Sequence, residues 1–153
     1  INEEGFFSYF TDSGIYTKEI LQSDLAKLES HYQKNGFIKV QIGQPIIKKD
    51  VNRNKLSIII PITEGKVFSI RKIRIVGGEK IIPKSEIEKL LKMFEGDIFD
   101  RSVFRSDILN IRSRFSEFGY AYVTVKPLVD LDDNTQKVDL TIKIYTKNRV
   151  YIK

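Results

Sequence analysis

The sequence SDLAKLESHYQKNGF at residues 23–37 returns in altered form as SDILNIRSRFSEFGY at residues 106–120. In both copies the apolar residues follow one another at intervals of four, three and four positions, which places them on one face of a helix. They are Leu21, Leu25, Leu28 and Tyr32 in the first copy and Phe104, Ile108, Ile111 and Phe115 in the second. The repeat therefore predicts two amphipathic helices of the same kind.

The residues after each helix predict two strands. Gly36 and Gly119 end the helices, because glycine adopts the left-handed conformation at a helix C-terminus without a steric penalty. Apolar and polar residues then alternate, as in a strand with one buried face, up to a polar turn at residues 50–54 or 130–134. A second alternating strand follows each turn. Each copy thus contains a helix followed by two strands.

The second copy has further elements in front of it. A strand near residues 67–76, a turn at Gly77 and Gly78, and a short helix precede the repeated helix. The apolar side of that short helix consists of Ile87, Leu90, Leu91 and Phe94. The corresponding strand and helix of the first copy are expected upstream of Ile1, because residues 5–10 are interpreted as the connection into its repeated helix.

These patterns predict an α+β fold of two small modules in tandem. Every strand has one apolar side, which favours a three-stranded mixed sheet with two helices on one face. The order is β-α-α-β-β in a complete second module at residues 66–153, and the first module, residues 1–65, is expected to be truncated at its N-terminus. The last strand of a module is predicted at the sheet centre, and the strand after the glycine at an edge.

The composition excludes several kinds of catalytic site. The chain has no cysteine, which rules out disulfides, thiolate metal sites and thiol nucleophiles. His31 is the only histidine, so neither a histidine-based zinc site nor a Ser-His-Asp arrangement can form within these residues. Glycine loops that bind phosphate are missing as well. We predict no cofactor, no metal and no catalytic residue, and the chain is not expected to be an enzyme.

Two groups of acidic residues suggest sites but have simpler interpretations. Asp130, Asp132 and Asn134 have the odd-position spacing of a calcium loop, yet threonine stands where that loop needs glycine and glutamate. A hairpin turn is predicted there instead. Asp24 and Asp107 recur at equivalent positions of the two helices, where a hydrogen bond to nearby backbone is expected.

The order of elements and several motifs resemble the POTRA (polypeptide-transport-associated) modules of BamA-type outer-membrane protein assembly factors. Residues 31–37 and 114–120 are similar to the tyrosine-xxx-glycine-aromatic signature of that family. Residues 63–68 resemble its acidic-glycine junction between modules, and residues 73–78 its first strand and turn. The resemblance extends over the whole chain.

Three details bear on the position of these modules in the family's arm. Gly77-Gly78 stands where glycine-asparagine is usual, and Lys147-Asn148-Arg149 replaces the acidic-glycine junction at the far end. The aromatic residues at 5–10, together with Tyr16, resemble the loop before the second helix of a second module. The chain is therefore interpreted as modules two and three.

The resemblance implies a function that composition alone does not indicate. It implies a periplasmic location and a full-length protein that continues into a membrane β-barrel. It also implies two kinds of partner, accessory outer-membrane assembly lipoproteins and unfolded outer-membrane protein clients, and no nucleic acid. The expected function is that of a protein-binding scaffold.

Strand addition is a binding mechanism that fits this sequence, because an exposed sheet edge offers unpaired backbone N–H and C=O groups to an extended segment. The candidate edge residues are Ile38, Lys39, Val40, Gln41 and Ile42 in the first module, and Tyr120, Tyr122, Thr124 and Lys126 in the second. Those expected to point away from the helices are Lys39, Gln41, Tyr122, Thr124 and Lys126. Ordinary solvated sheet surface is the alternative for each residue taken singly.

Two other functions agree with the same pattern. A net charge of +6 and outward Tyr122, Lys143 and Tyr145 would suit a basic α/β module that stacks single-stranded nucleic acid. POTRA modules of a two-partner secretion pore or of a division protein are the other alternative. Oligonucleotide binding that weakens steeply with salt would favour the first of these.

Overall fold

The computed structural model describes the backbone of residues 4–11 and the complete residues 18–53 and 55–146. The chain divides into two units, Ile1–Lys66 and Val67–Lys153. Each unit has a sheet of its own. The two sheets differ in the number and direction of their strands.

The first unit contains strands β1 (Glu4–Thr11), β2 (Gln41–Ile42), β3 (Ile46–Asp50) and β4 (Lys55–Thr63), and helix α1 (Lys18–Lys34). β4 is central, with β1 on one side and both β2 and β3 on the other. All three pairings are antiparallel. The predicted repeated helix and the predicted second strand of this module are therefore confirmed.

The prediction that residues 5–10 are a connection is wrong. They belong to β1, which pairs along β4 from Glu4 opposite Thr63 to Thr11 opposite Leu56. Phenylalanine, tyrosine and threonine, which dominate this segment, favour extended backbone. The N–H and C=O groups on this side of a central strand also need partners. The order of this unit is thus strand, helix, strand, strand, strand.

Helix α1 packs on β4 through the predicted apolar face. Tyr32 is buried with three alternate residues of β4, whose side chains point to the same face because a strand has a period of two. The core residues of β4 are Ile58, Ile60 and Ile62, and those packed around them include Leu21, Leu25 and Leu28.

Tyr32 also connects the helix to the segment that follows β4. It is only 8% exposed, and its hydroxyl donates a hydrogen bond to Glu64 Oε1 at 2.7 Å. Burial, reinforced by the hydrogen bond and the negative charge of Glu64, raises the pKa of Tyr32 to about 12. The two motifs at residues 31–37 and 63–68 are therefore in direct contact.

We expect this pKa shift to make the first unit lose stability in alkali. A group with a raised folded-state pKa contributes stability that is complete below its unfolded pKa and is lost as the pH rises through the folded value. The free energy of unfolding should therefore fall by on the order of 2 kcal/mol above pH 10. Urea unfolding of the whole chain across this pH range, followed by far-ultraviolet circular dichroism, measures it. Tyr32→Phe should remove the fall, whereas Tyr122→Phe in the second unit should keep it.

The second unit contains β5 (Ser69–Val76), α2 (Lys84–Glu88), α3 (Arg101–Glu117), β6 (Thr124–Asp132) and β7 (Lys137–Tyr145). The sheet order is β5-β7-β6, with β5 parallel and β6 antiparallel to β7. The predicted β-α-α-β-β order, the mixed three-stranded sheet and the central last strand are confirmed. The short helix α2 is shorter than predicted, because it ends before Leu90, Leu91 and Phe94.

The core of this unit lies between α3 and alternate residues of β7. The predicted helix face is buried throughout, as are the residues of β7 that face it. These residues are Phe104, Ile108, Ile111 and Phe115 on the helix, and Val138, Leu140, Ile142 and Ile144 on the strand. The alternation predicted for the last strand thus places its apolar side against the repeated helix.

A buried carboxylate fixes the segment after α2 to α3. Asp107 is 0% exposed and accepts hydrogen bonds from the backbone N–H of Lys92 at 3.0 Å and of Met93 at 3.3 Å. Burial raises the pKa of Asp107, and these N–H donors oppose the rise. Asp107 thus bonds to backbone, as predicted, but the prediction of a local bond is wrong, because its partners lie 14 and 15 residues away along the chain. The corresponding Asp24 lies nearer the surface and forms an ion pair with Lys27 at 3.2 Å.

Candidate protein-binding edges

The predicted binding residues of the second unit fall on both sides of the start of β6. Thr124 and Lys126 lie within the strand, and their side chains are exposed. Tyr120 and Tyr122 lie before it, in a turn, with Tyr122 66% exposed. The prediction that the edge strand begins at Tyr120 is therefore wrong by four residues.

The late start of β6 follows from the way α3 ends. Gly119 has a φ of 85°, and the N–H of Tyr120 donates to the carbonyl oxygen of Phe115 at 3.2 Å, as in a Schellman motif. The N–H of Val123 then donates to the carbonyl oxygen of Tyr120 at 3.2 Å, which closes a β-turn. The chain reaches extended geometry only after this turn.

The first unit repeats this geometry. The N–H of Phe37 donates to the carbonyl oxygen of Tyr32, and the N–H of Val40 donates to that of Phe37 at 3.3 Å. Only the last two of the predicted edge residues, Gln41 and Ile42, lie in a strand. The other three, Ile38, Lys39 and Val40, belong to the turn or directly follow it. Their assignment to an edge strand is wrong for the same reason as in the second unit.

Most of the edge of the first unit is formed by β3, which sequence analysis missed. All five residues of β3 are exposed, with Ile46 at 49% and Ile47 at 57%. The sequence signal for β3 is its pair of β-branched isoleucines, Ile46 and Ile47. Gly43 and Pro45, which stand before them, indicate a turn and obscure this signal. Ile42 lies opposite Ile62 and Ile46 opposite Ile59, so the edge contains one residue more than β4 there, as in a β-bulge.

In the second unit β6 is an open edge. It pairs with β7 from Thr124 to Asp132, and within the described residues no strand pairs with its other side. Val125, opposite Ile144, is buried in the core. Pro127 has no backbone N–H. Proline is tolerated in edge strands, where it limits unwanted pairing. The open side of β6 thus offers backbone N–H and C=O groups both before and after Pro127.

The opposite edge, β5, is closed over much of its length by the chain itself. The N–H of Ile70 donates to the carbonyl oxygen of Asp97 at 2.8 Å, and the N–H of Gly96 donates to that of Ile70 at 2.8 Å. Further along, the N–H of Ile73 donates to Glu95 Oε1 at 3.1 Å. These bonds make β6 the better edge for an added strand.

The hairpin between β6 and β7 ends in an ion-pair cluster. Arg71 contacts both carboxylate oxygens of Asp139 at 3.0 and 2.9 Å and Asp132 at 3.1 Å, and the hydrogen bond from Arg71 lowers the pKa of Asp139. Asp132 Oδ1 accepts from the N–H of Asn134 and Thr135. The hairpin turn predicted in place of a calcium loop is confirmed.

Neither a metal cluster nor a membrane span is found among the residues that the structure describes. Their acidic and histidine side chains form no group of three or more that could hold a metal ion. None of their helices combines the length and the apolar character needed to cross a bilayer.

Comparison with known proteins gives consistent results for the whole chain. The outer membrane protein assembly factor BamA of Neisseria meningitidis is 29% identical over 154 aligned residues, which cover 99% of this chain and 19% of that protein. The chain therefore spans about a fifth of the length of the curated relatives that it matches.

Solved structures of BamA proteins have folds similar to that of this chain. The structure of Haemophilus influenzae BamA POTRA3-5 matches with a TM-score of 0.72 and 25% identity, over 90% of this chain and 54% of that one. BamA from Haemophilus ducreyi lacking POTRA domains 1-3 matches with a TM-score of 0.67 and 20% identity, over 88% of this chain and 24% of that one. The second likeness shows the fold alone.

The family model of POTRA, described as "Surface antigen variable number repeat", matches residues 4–65 and again residues 68–147. The two matches follow one another along the chain, as do the two copies of the helix and hairpin. The chain belongs to the POTRA family.

Proposed function

We propose that the chain is a pair of POTRA modules, residues 1–65 and 66–153, in the periplasmic arm of an outer-membrane protein assembly factor. In this function it is a binding scaffold and not an enzyme. Its partners are accessory outer-membrane assembly lipoproteins and unfolded outer-membrane protein clients, and the full-length protein continues into a membrane β-barrel. The matched relatives, which are named as assembly factors, support this proposal. The position as modules two and three stays a prediction.

The open side of β6 is the observation that carries the proposal. A strand of nine residues with one unpaired side presents a row of N–H and C=O groups, and an extended segment of another chain satisfies them by pairing. Main-chain bonds are the same for every sequence, so the edge binds clients that share only an extended conformation. That property suits a scaffold that receives many unfolded proteins.

The edge at β3 provides a second binding strand. Ile46 and Ile47 are both about half exposed, so an added strand would also cover apolar side chains on the two faces of the sheet. Lys48 and Lys49 follow in the same strand, and lysine at an edge disfavours uncontrolled pairing between copies of a protein. We therefore assign weak, reversible strand addition to both units.

Amide exchange of the whole chain, with and without a soluble peptide of alternating valine and threonine, tests the proposal. With the peptide at tenfold its dissociation constant, exchange at amides of β6 that are open in the free chain should slow by about tenfold. The amides of Ile70 and Ile73 in β5 already have partners and should not change. A peptide of the same sequence that is N-methylated at every second residue cannot pair and should have no effect.

Unaltered exchange in both β3 and β6 at saturating peptide would contradict strand addition. Equal protection by the N-methylated peptide would also contradict it, because binding would then not depend on backbone pairing. The comparisons do not favour the alternative of a nucleic-acid-binding module or of a secretion pore. Tight, salt-dependent binding of a labelled oligonucleotide would reverse that preference.

A further inference from the structure

The open edge of the second unit has a charge pattern on the face turned away from α3. Residues of β6 opposite the exposed side of β7 lie on that face, since directly paired residues point to the same side of a sheet. The register sets Lys126 opposite Lys143, Leu128 opposite Thr141 and Asp130 opposite Asp139. The edge therefore presents a cation, an apolar side chain and an anion at alternate positions.

The cationic end of this pattern has no counter-charge in contact with it among the described residues. Like charges directly opposite each other on neighbouring strands destabilise a sheet, and Lys126 and Lys143 have this arrangement. On the other side of Lys143 the register places Val76, which carries no charge. No ion pair or side-chain hydrogen bond reaches either lysine from the described part of the chain. A carboxylate beside Lys126 would meet two lysines without a counter-charge.

The anionic end is also available to a partner. Asp139 forms ion pairs with Arg71 at 2.9 Å and with Arg74 at 3.7 Å. Asp130, its neighbour on the edge, has no ion pair or side-chain hydrogen bond with any described residue. Between the two charged positions, Leu128 is 38% exposed. A partner with an apolar residue there would cover it.

We propose that the outer side of β6 selects extended segments that carry an acidic, an apolar and a basic residue at alternate positions. This inference rests on the strand addition proposed above. Side chains directly opposite on paired strands are about 5 Å apart, so the acidic residue lies beside Lys126 and the basic residue beside Asp130. The acidic residue comes first in a parallel strand and last in an antiparallel one. The edge thus combines sequence-independent pairing with a preference for charge.

Three peptides that differ at one position test this selectivity on the whole chain. The first alternates threonine with glutamate, valine and lysine, and the others replace the glutamate by glutamine or by lysine. Each peptide is made with this order and with the reverse order, which suit a parallel and an antiparallel added strand respectively, and the expected result applies to the order that binds more tightly. Fluorescence anisotropy at low ionic strength should show about tenfold tighter binding of the glutamate peptide than of the lysine peptide. The glutamine peptide should lie between them, and the differences should shrink as salt is added.

Lys126→Glu supplies the matched variant. It should reverse the order, so that the lysine peptide binds more tightly than the glutamate peptide. The introduced carboxylate lies opposite Lys143, so the urea midpoint of the second unit should rise slightly while binding of the glutamate peptide weakens. A variant that merely disturbed the fold would lower both the urea midpoint of the second unit and its affinity for the glutamate peptide. Lys89→Glu, at an exposed position after α2 and outside both β3 and β6, is the control and should leave the order unchanged.

Equal affinity of the wild-type chain for the three peptides, with the β6 amides still protected, would overturn the charge preference and leave strand addition standing. Absence of protection in β6 with every peptide would overturn both. A preference for glutamate that survived Lys126→Glu unchanged would also overturn the proposal, because the lysine at the edge would then not be its cause.

Discussion

Gly77→Ala is expected to destabilise the second unit by about 2–5 kcal/mol. A Cβ at this position would overlap the carbonyl oxygen of Ile144, which belongs to the central strand β7 and cannot move without disturbing both of its neighbours. The φ of Gly77 is 87°, a left-handed conformation that costs residues with a Cβ about 1–2 kcal/mol. Urea unfolding of the whole chain, with amide exchange in β7 to report on the second unit alone, measures the loss.

Gly96→Ala separates the two causes. Gly96 also has a positive φ, 96°, but a Cβ there would meet nothing within 4 Å. Gly96→Ala should therefore cost only the free energy of placing a residue with a Cβ in a left-handed backbone conformation, about 1–2 kcal/mol. If the two variants lost the same stability, the close approach of the turn to β7 would contribute nothing. The unfolding midpoint of the first unit should stay unchanged in both.

The fold of the second unit could be predicted because its local signals agree. The helical spacing of Phe104 to Phe115, the glycine after it and the period-two pattern of β7 each indicate one element, and all of them belong to one small core. The same signals predicted α1 and β4 in the first unit. A strand pattern does not show which side of a neighbour it will occupy. Residues 5–10 are rich in aromatic residues and directly precede the repeated helix, which led to their interpretation as a connection, although they form β1 beside β4.

The binding edges could be predicted only in part. The sequence indicated that the strand after each glycine lies at an edge, and Gln41, Ile42, Thr124 and Lys126 do lie in edge strands. It did not indicate where those strands begin, because a β-turn that follows a Schellman motif has no strong residue requirement. Closure of β5 by Glu95 and Asp97 depends on contacts with a distant segment. Such contacts are decided by tertiary packing and not by local pattern.

The two units differ in the buried aromatic residue at one position of the repeated helix. Tyr32 of the first unit and Phe115 of the second occupy the same position of the repeated helix, and both are buried. The first has a hydroxyl and a carboxylate partner, Glu64, whereas the second has neither. A hydroxyl buried without a partner would cost about 1–3 kcal/mol. The aromatic ring is thus common to both cores, and the hydroxyl accompanies the acidic junction.

Asp107→Ala is expected to lower the free energy of unfolding of the second unit by about 2–4 kcal/mol. Removal of the carboxylate leaves two N–H groups without an acceptor, that of Lys92 in a partly buried place and that of Met93 in a buried one. Each unsatisfied group costs about 1–3 kcal/mol, and relief from burying a carboxylate offsets part of that sum. Amide exchange at Lys92 and Met93 should accelerate more than at any other residue after α2. Urea unfolding, followed by exchange in β7, measures the global loss.

Two further variants identify the cause of this loss. In the native chain one oxygen, Oδ2, accepts from the N–H of both Lys92 and Met93. Asp107→Asn keeps one such oxygen but replaces the other, which also accepts from Lys92, by an NH2 group that cannot accept, so its cost should lie below that of alanine, about 1–2 kcal/mol. Asp130→Ala removes a carboxylate of the same unit that is exposed and makes no ion pair or side-chain hydrogen bond with any described residue, and it should cost no more than about 0.5 kcal/mol. The expected order of destabilisation is Asp107→Ala, then Asp107→Asn, then Asp130→Ala. If Asp130→Ala were as costly as Asp107→Ala, the loss would follow from removing any carboxylate of this unit and not from the hydrogen bonds that Asp107 accepts from Lys92 and Met93.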